Sequence, residues 1–192
     1  MIEIETWGVE YLHARIAAFV FQGNPHPAIL DVGAGKGAYH PILHGAASLT
    51  MIDAWAPYLE ERLLTLEGIP ILPILGTAER ILPVLRAPYD VALAIDFIEH
   101  LEKDRALSVI EYLCRLAPKI AIFTPSGFFP QSKDHEGLGA DHWQTHRSAW
   151  HPNELETLGF EVEVWKKFHA PNTARSPDAE TEDAIWATWR NP

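Results

Sequence analysis

Acidic residues and alternating glycines stand close together in the first third of the chain. The segment 29–38 contains an acid followed by three glycines: Asp31, Gly33, Gly35 and Gly37. A second acid, Asp53, ends the next apolar segment, 49–53. This pattern predicts a strand, a glycine turn, a helix and a second strand that ends in a carboxylate. Glycines let a backbone approach a ligand closely, and such a carboxylate accepts hydrogen bonds from ribose hydroxyls. The segment therefore predicts a site for an adenosine-bearing cofactor.

A phosphate-binding P-loop does not fit this segment. That loop needs Gly-x-x-x-x-Gly-Lys followed by Ser or Thr. Here Gly35-Lys36 is followed by Gly37, and Leu30 stands five positions before Gly35. The structural alternative is a tight turn in a flavodoxin-like domain that binds no cofactor. The later segments of the chain disfavour it, because they also agree with a SAM site.

Two cofactor classes then compete for the glycine turn. A nicotinamide fingerprint, Gly-x-Gly-x-x-Gly/Ala, is formally met by Gly33, Gly35 and Ala38. S-adenosylmethionine (SAM) has no phosphates, and its site needs one carboxylate near the charged methionine end and another at the ribose. Asp31 and Asp53 supply carboxylates at those two places, which favours SAM.

Four segments of this chain resemble the motifs of the class I SAM-dependent methyltransferases. They are the glycine turn 30–37, the acid Asp53, the segment 89–101 and the segment 119–125. Each motif is modest alone, but four in this order and spacing are specific, and the resemblance covers nearly the whole chain.

The resemblance implies roles for particular residues. Gly33 and Gly35 would lie under the cofactor, Asp53 would bind its ribose, and the backbone after Asp96 would lie near its methionine moiety. The family often has an Asp before the adenine-contacting residues, where this chain has Thr77. The predicted cofactor-binding residues are Asp31, Gly33, Gly35, Asp53, Ala54, Ala78, Glu79 and Asp96.

Composition limits the class of protein. The 192 residues predict a single domain, 1–192, and no apolar run reaches the ~20 residues that a membrane span needs. The net charge of −11, with only 15 scattered Lys and Arg, disfavours a nucleic-acid substrate. The lone Cys114 fits a packing residue in a reducing, cytoplasmic environment. The oligomeric state stays open.

Hydrophobic periodicity predicts an α/β fold, a Rossmann-like doubly wound sheet of seven strands with helices on both faces. An N-terminal helix is expected within 1–24, and a helix at 37–43 after the first strand. The sheet is expected to be parallel with an antiparallel C-terminal strand. The predicted strands are 28–32, 48–53, 71–75, 90–95, 119–123, 161–168 and 184–190.

Candidate catalytic groups follow the fourth predicted strand of that sheet. Asp96, Glu99 and His100 have spacings that share one face if a helix begins there. His100 could serve as a general base, since an unperturbed imidazole has a pKa near ~6.5. Equally, Glu99 and His100 could only cap the helix and orient the backbone.

The connection 124–151 is unusually long and predicts an acceptor-site loop or lid. It is rich in histidine, and we select His146 with His100 as the predicted catalytic pair. A solvated loop with aromatic anchors over the cofactor is the alternative. Phe128, Phe129 and Trp143 would suit an apolar acceptor pocket.

A metal-binding pattern is also present. Asp96-x-x-Glu99-His100 with a later His146 resembles the Glu-x-x-Glu-His and downstream His of the RNA 3′-terminal ribose 2′-O-methyltransferases, which bind a divalent metal. A mixed carboxylate and imidazole set suits Mn²⁺, Fe²⁺ or Co²⁺ better than Mg²⁺. The acidic charge and the lack of a basic extension oppose this interpretation, so the predicted site includes no metal ligand.

The sequence thus predicts a SAM-dependent methyltransferase that acts on an oxygen or nitrogen of a small-molecule acceptor. Two alternatives stay open: the metal-dependent RNA ribose methyltransferase, and a non-catalytic binding subunit with a methyltransferase fold.

Overall fold

The computed structural model describes residues 2–5, 8–63, 68–86, 88–169 and 182–191. Within these ranges the strands are β1 (Ile2–Glu5), β2 (Ala28–Val32), β3 (Ser48–Asp53), β4 (Ile71–Leu75), β5 (Val91–Ile95), β6 (Lys119–Pro125), β7 (Glu161–Lys166) and β8 (Ala184–Arg190). The α-helices are α1 (Val9–Phe21), α2 (Ala56–Leu63), α3 (Ala78–Ile81), α4 (Lys103–Leu116), α5 (Asp141–Gln144) and α6 (Pro152–Thr157). Short 3₁₀ helices occupy His40–Leu43, Leu82–Val84 and Ile98–His100.

All eight described strands form one sheet in the order β1-β7-β8-β6-β5-β2-β3-β4. Neighbours are parallel except for β8, which is antiparallel to both β6 and β7. The predicted mostly parallel Rossmann-like sheet with an antiparallel C-terminal strand is therefore confirmed. Parallel strands need helical crossovers, which cover both faces of the sheet, and this explains the continuous apolar runs of β2, β5 and β6.

Two hydrophobic clusters lie on opposite faces of the sheet. One contains Leu30, Ile120 and Ile122 with apolar residues of α3, α4 and α6. The other contains Ile29 and Phe123 with apolar residues of α1 and α2. Adjacent residues of one strand point to opposite faces, so each central strand contributes to both clusters.

The N-terminus differs from the predicted arrangement. Only a helix is predicted within 1–24, whereas the structure has β1 before α1, which makes the sheet eight-stranded rather than seven-stranded. Ile2-Glu-Ile-Glu5 alternates as a strand does, and β1 pairs in parallel with the edge of β7. Ile4 packs on the core, while Glu3 pairs with Lys166 at 3.1 Å. This alternation is a sequence signal for a strand, but a strand of four residues is stable only when it pairs with another strand, here β7.

The segment 37–43 also differs, because it forms turns and a short 3₁₀ helix instead of the predicted helix. Gly37 has φ 62°, a left-handed conformation that interrupts a helix. Pro41 has no N–H to donate to a preceding turn.

Aromatic stacking consolidates the α1 side of the core. The Trp165 and Trp186 rings stack with centroids 5.7 Å apart, and Phe19 meets Trp186 edge-on at 6.1 Å. Trp186 is 1% exposed.

Truncation of Trp186 should therefore be costly. We expect Trp186→Ala to lower the free energy of unfolding by about 3–5 kcal/mol, because it leaves a cavity beneath α1. Urea denaturation followed by circular dichroism measures this loss. Trp189→Ala is the matched control, since Trp189 is only partly buried and should cost clearly less. Equal losses at the two positions would contradict the assignment of Trp186 to the core.

Candidate active site

A cavity of about 770 Å³ opens at the carboxyl ends of the parallel strands. Its wall is built from the turn after β2, the ends of β3 and β4, the segment after β5, helix α4 and the loop that contains α5. Seven predicted site residues line it: Gly33, Asp53, Ala54, Ala78, Glu79, Asp96 and His100. The three other predicted residues, Asp31, Gly35 and His146, lie next to this wall rather than in it.

The glycine turn is fixed to the end of β3. The N–H groups of Gly33 and Ala34 both donate to the carbonyl of Ile52, and Gly35 donates to Asp53 Oδ2 at 2.8 Å. Gly33 has φ 71°, and a Cβ there would lie 2.2 Å from the ring of Phe97. Only glycine therefore permits both this conformation and this contact.

Asp53 joins two segments of the cavity wall. Its Oδ1 accepts from the N–H of Trp55 at 2.8 Å, while Oδ2 holds Gly35. Burial raises the pKa of the carboxyl, and the backbone hydrogen bonds oppose that shift. Each carboxylate oxygen has a second lone pair, so Asp53 can also accept hydrogen bonds from a ligand.

Asp31 lies beneath the glycine turn, away from the cavity. It is 0% exposed, its Oδ1 accepts from the Tyr39 hydroxyl at 2.5 Å, and its Oδ2 lies 2.5 Å from His40 Nε2. Burial and the nearby Asp31 charge raise the pKa of Tyr39, which keeps its hydroxyl a donor. Tyr39 and His40 are not among the predicted site residues. Two polar side chains directly after the glycines were the available signal.

Asp96 follows β5 in a strained conformation and faces the cavity. It has φ 48°, which is uncommon for a residue other than glycine, and its N–H donates to Phe123 O at 2.9 Å. Loss of solvation by the surrounding protein raises the pKa of its carboxyl to about 7.

A carboxylate and two imidazoles meet beside this cavity. One ligating atom from each of Glu99, His100 and His146 lies within 4.8 Å of the other two, and the two rings are 4.7 Å apart at their centroids. Glu99 Oε2 accepts from Thr124 Oγ1 at 2.9 Å. Among the described residues, Glu99 Oε1 and His100 Nδ1 are buried without a hydrogen-bond partner. Thr124, at the end of β6, gave no signal in the sequence.

Burial controls the charge of this cluster. It lowers the pKa of His100 to about 3, with the neighbouring His146 acting in the same direction, and it lowers the pKa of His146 as well. Burial and the charge of Asp96 raise the pKa of Glu99 well above its usual range. Both imidazoles are therefore neutral at pH 7 and keep one lone pair each, which can accept a hydrogen bond or bind a metal ion.

The loop between β6 and α6 is attached on two sides of the cavity. On one side, the N–H groups of Arg147 and Ser148 donate to the carbonyl of Glu99 at 2.7 and 3.1 Å. These bonds bring His146 against His100, although the two lie far apart in the sequence.

On the other side, the same loop contacts the segment that follows β3. Trp55 Nε1 donates to Leu138 O at 2.9 Å, and the Tyr58 hydroxyl donates to Asp134 Oδ1 at 2.6 Å. Asp134 also accepts from three backbone N–H groups, and these bonds with Tyr58 lower the pKa of its carboxyl to about 2.

Just under half of the sequence matches a known domain family. Residues 30–118 match the family model described as "Methyltransferase domain". No curated protein matches the sequence closely enough to serve as a relative. This match confirms the prediction of a SAM-dependent methyltransferase, and residues 30–118 carry the methyltransferase domain.

Three solved structures illustrate the shared fold. The N-methyltransferase NodS from Bradyrhizobium japonicum WM9, in complex with S-adenosylhomocysteine (SAH), is 13% identical with a TM-score of 0.66 over 95% of this chain and 87% of that one. Magnesium protoporphyrin IX methyltransferase (ChlM) from Synechocystis PCC 6803, with bound SAH, is 17% identical with a TM-score of 0.61 over 95% and 83%. The methyltransferase domain of bacterial CtHen1 is 16% identical with a TM-score of 0.59 over 95% and 98%.

The charge state of His100 is directly measurable. We expect its imidazole to stay neutral at pH 5 in chelator-treated protein, because burial holds its pKa near 3. Long-range ¹H–¹⁵N correlation spectra across pH 4–8 report this, with His100→Gln to assign the signal. The urea-unfolded protein is the reference, where histidine titrates near ~6.5. A folded-state midpoint near that value would contradict the proposed burial.

Proposed function

We propose that this methyltransferase transfers a methyl group to an oxygen or nitrogen of a small-molecule acceptor. The observation that carries the proposal is the partly enclosed cavity of about 770 Å³ with two neutral imidazoles beside it. That volume lies within the ~300–1,000 Å³ of small-molecule sites. Two enzymes that share this fold, magnesium protoporphyrin IX methyltransferase and plantazolicin methyltransferase, are named for such acceptors and support this acceptor class.

The chain offers a fitting partner for each end of SAM. Asp53 with Ala54 would bind the ribose. Gly33 and Gly35 have no side chains, so the cofactor could lie directly against their backbone. Glu79 Oε2 is buried without a hydrogen-bond partner among the described residues, and it suits the amino group of an adenine. Asp96 would hold the methionine ammonium group. When bound, SAM supplies a methyl group activated by its sulfonium.

Asp31 takes a different role in this proposal. Because its carboxylate is already bound by Tyr39 and His40 beneath the turn, we assign it to positioning the glycine backbone. A direct contact with the methionine end is assigned to Asp96 instead.

His100 and His146 would act on the acceptor. A neutral imidazole can accept a hydrogen bond from a hydroxyl or amine and so orient the attacking lone pair toward the methyl group. With a pKa near 3, His100 is a weak base, so orientation rather than full proton removal is its main contribution. The surrounding loop, 124–151, would exclude water as an acceptor-site lid.

The partners follow from the same chemistry. No helix in the described residues is long and apolar enough to cross a membrane. The net charge of −11 favours a small acceptor over a nucleic acid. A cytoplasmic location stays a prediction, based on the lone Cys114.

Calorimetric titration with SAH tests the cofactor assignment. We expect Asp53→Ala to weaken binding about tenfold or more, because charge-assisted hydrogen bonds to the ribose would be lost. Asp90→Ala is the matched control: Asp90 accepts from the N–H of Ala28 at 2.7 Å at the opposite end of β2. Unchanged affinity in Asp53→Ala would reject the ribose contact. If folded wild-type protein does not bind SAH, the cofactor proposal fails.

A second candidate function is a metal-dependent methyltransferase resembling the RNA 3′-terminal ribose enzymes. The Glu99, His100 and His146 cluster favours it, since two of its potential ligand atoms are buried without partners. Asp96, the remaining residue of the sequence pattern, is not part of the cluster. A bound divalent metal would supply Lewis-acid activation of an acceptor hydroxyl.

Metal analysis separates the two candidates. If the second is correct, protein purified without chelator and dialysed against Mn²⁺ or Co²⁺ should retain about one ion per chain. Glu99→Gln should release it, and Glu102→Gln, at the same cavity but outside the cluster, should not. Elemental analysis by mass spectrometry measures the content. A metal-free wild type that still binds SAH would reject the second candidate and leave the first in place.

A third possibility, a non-catalytic binding subunit, would show tight SAH binding without methyl transfer to any acceptor.

A further inference from the structure

The cavity wall contains an arginine, Arg147, to which the proposed function gives no role. Arg147 lines the cavity and is half-buried. Its Nη1 donates to the carbonyls of His100 at 2.7 Å and Thr145 at 2.9 Å, and its Nη2 donates to the carbonyl of His142. These three anchors come from two different segments, so the position of the cation is well determined.

The anchors of Arg147 are all neutral. Among the described residues, no carboxylate lies within ion-pair distance of it, although the chain has 26 Asp and Glu and only 15 Lys and Arg. Carbonyl dipoles hold a cation but do not neutralise it. Three hydrogen bonds also leave two of the five guanidinium N–H groups for another acceptor.

The residues around Arg147 indicate where a ligand group that accepts these hydrogen bonds would lie. Phe97, Leu101 and Trp143 line the same cavity as Arg147 and His100. A second arginine, Arg105, also lines it and is 69% exposed at the side chain, with Glu79 4.0 Å away. Glu102 is the acid in this wall that the cofactor proposal leaves unassigned. Arg147 thus supplies a positive charge beside the apolar part of this wall.

We propose that the methyl acceptor carries an oxyanion, a carboxylate or a phosphate, which Arg147 binds with support from Arg105. This inference rests on the proposed function, because it concerns the acceptor side of the same cavity. Arg147 is then a specificity residue: its guanidinium binds the anionic group while His100, whose carbonyl it contacts, orients the nucleophile. Arginine suits this role, since its planar fork matches carboxylate and phosphate groups.

The experiment compares each anionic ligand with a neutral partner that has the same aromatic ring. Wild-type protein saturated with SAH is titrated calorimetrically at low salt with 4-hydroxybenzoate and with 4-hydroxybenzamide. Phenyl phosphate and phenol form the second pair, so that the two pairs distinguish a carboxylate from a phosphate. We expect at least one anion to bind about tenfold or more tightly than its neutral partner, as a charge-assisted hydrogen bond predicts.

Variants then locate the charge. Arg147→Gln should abolish the preference for the anion, Arg147→Lys should keep part of it, and Arg105→Gln should reduce it. Arg115→Gln is the matched control, because Arg115 pairs with Glu111 on α4 and does not line this cavity. Arg105→Gln also guards against misfolding, since that side chain is mostly exposed and its loss disturbs no buried contact.

Several results would overturn the proposal. They are equal binding of each anion and its neutral partner, absence of anion binding at millimolar concentration, or an unchanged preference for the anion in both Arg147→Gln and Arg105→Gln. A loss of SAH affinity in Arg147→Gln, without loss of its thermal transition, would assign the arginine to the cofactor instead. If wild type prefers the anion but does not bind SAH, the cofactor proposal fails and the oxyanion site stands.

Discussion

The carbonyl of Glu99 is the point on which the active site depends. It accepts the N–H groups of Arg147 and Ser148, and so joins the turn after β5 to a loop that is more than 40 residues away. Together with the bonds from Arg147 to His100 O and Thr145 O, these two bonds hold His146 beside His100 and Arg147 at the cavity wall. A loop of this length loses much conformational entropy on ordering, and its many backbone and side-chain anchors offset that cost.

Desolvation then determines what the assembled groups can do. Acids and imidazoles brought together away from water favour their neutral forms, so the pKa of Glu99 rises and that of His100 falls. A neutral imidazole pair next to an acid is suited to accept hydrogen bonds or to bind a cation, and it is poorly suited to strong base catalysis. The two candidate functions thus differ in one physical respect. In the metal-dependent enzyme a bound divalent cation would neutralise the charge of Glu99, whereas in the small-molecule enzyme no metal ion is bound there.

The fold was largely predictable because its signals are local. Apolar runs between glycine and proline turns indicated the strands, and the glycines after β2 indicated a cofactor turn. The predicted helix at 37–43 was wrong because Gly37 has a left-handed conformation and because Tyr39 and His40 turn inward to Asp31. The strand β1 was missed because its stability comes from the edge of β7, far away in the chain.

By itself, the sequence determined the class of protein: the order of motifs, the acids at strand ends and the glycine positions all depend on residue type and short spacing. Only the tertiary structure decided which polar groups meet. It buried Asp31 beneath the turn, placed Asp53 in the cavity wall and brought His100 against His146. It also left Arg147 without a carboxylate partner in the part of the chain that the structure describes. Such contacts depend on burial and on hydrogen bonds between distant segments, and neither quantity is encoded in the spacing of neighbouring residues.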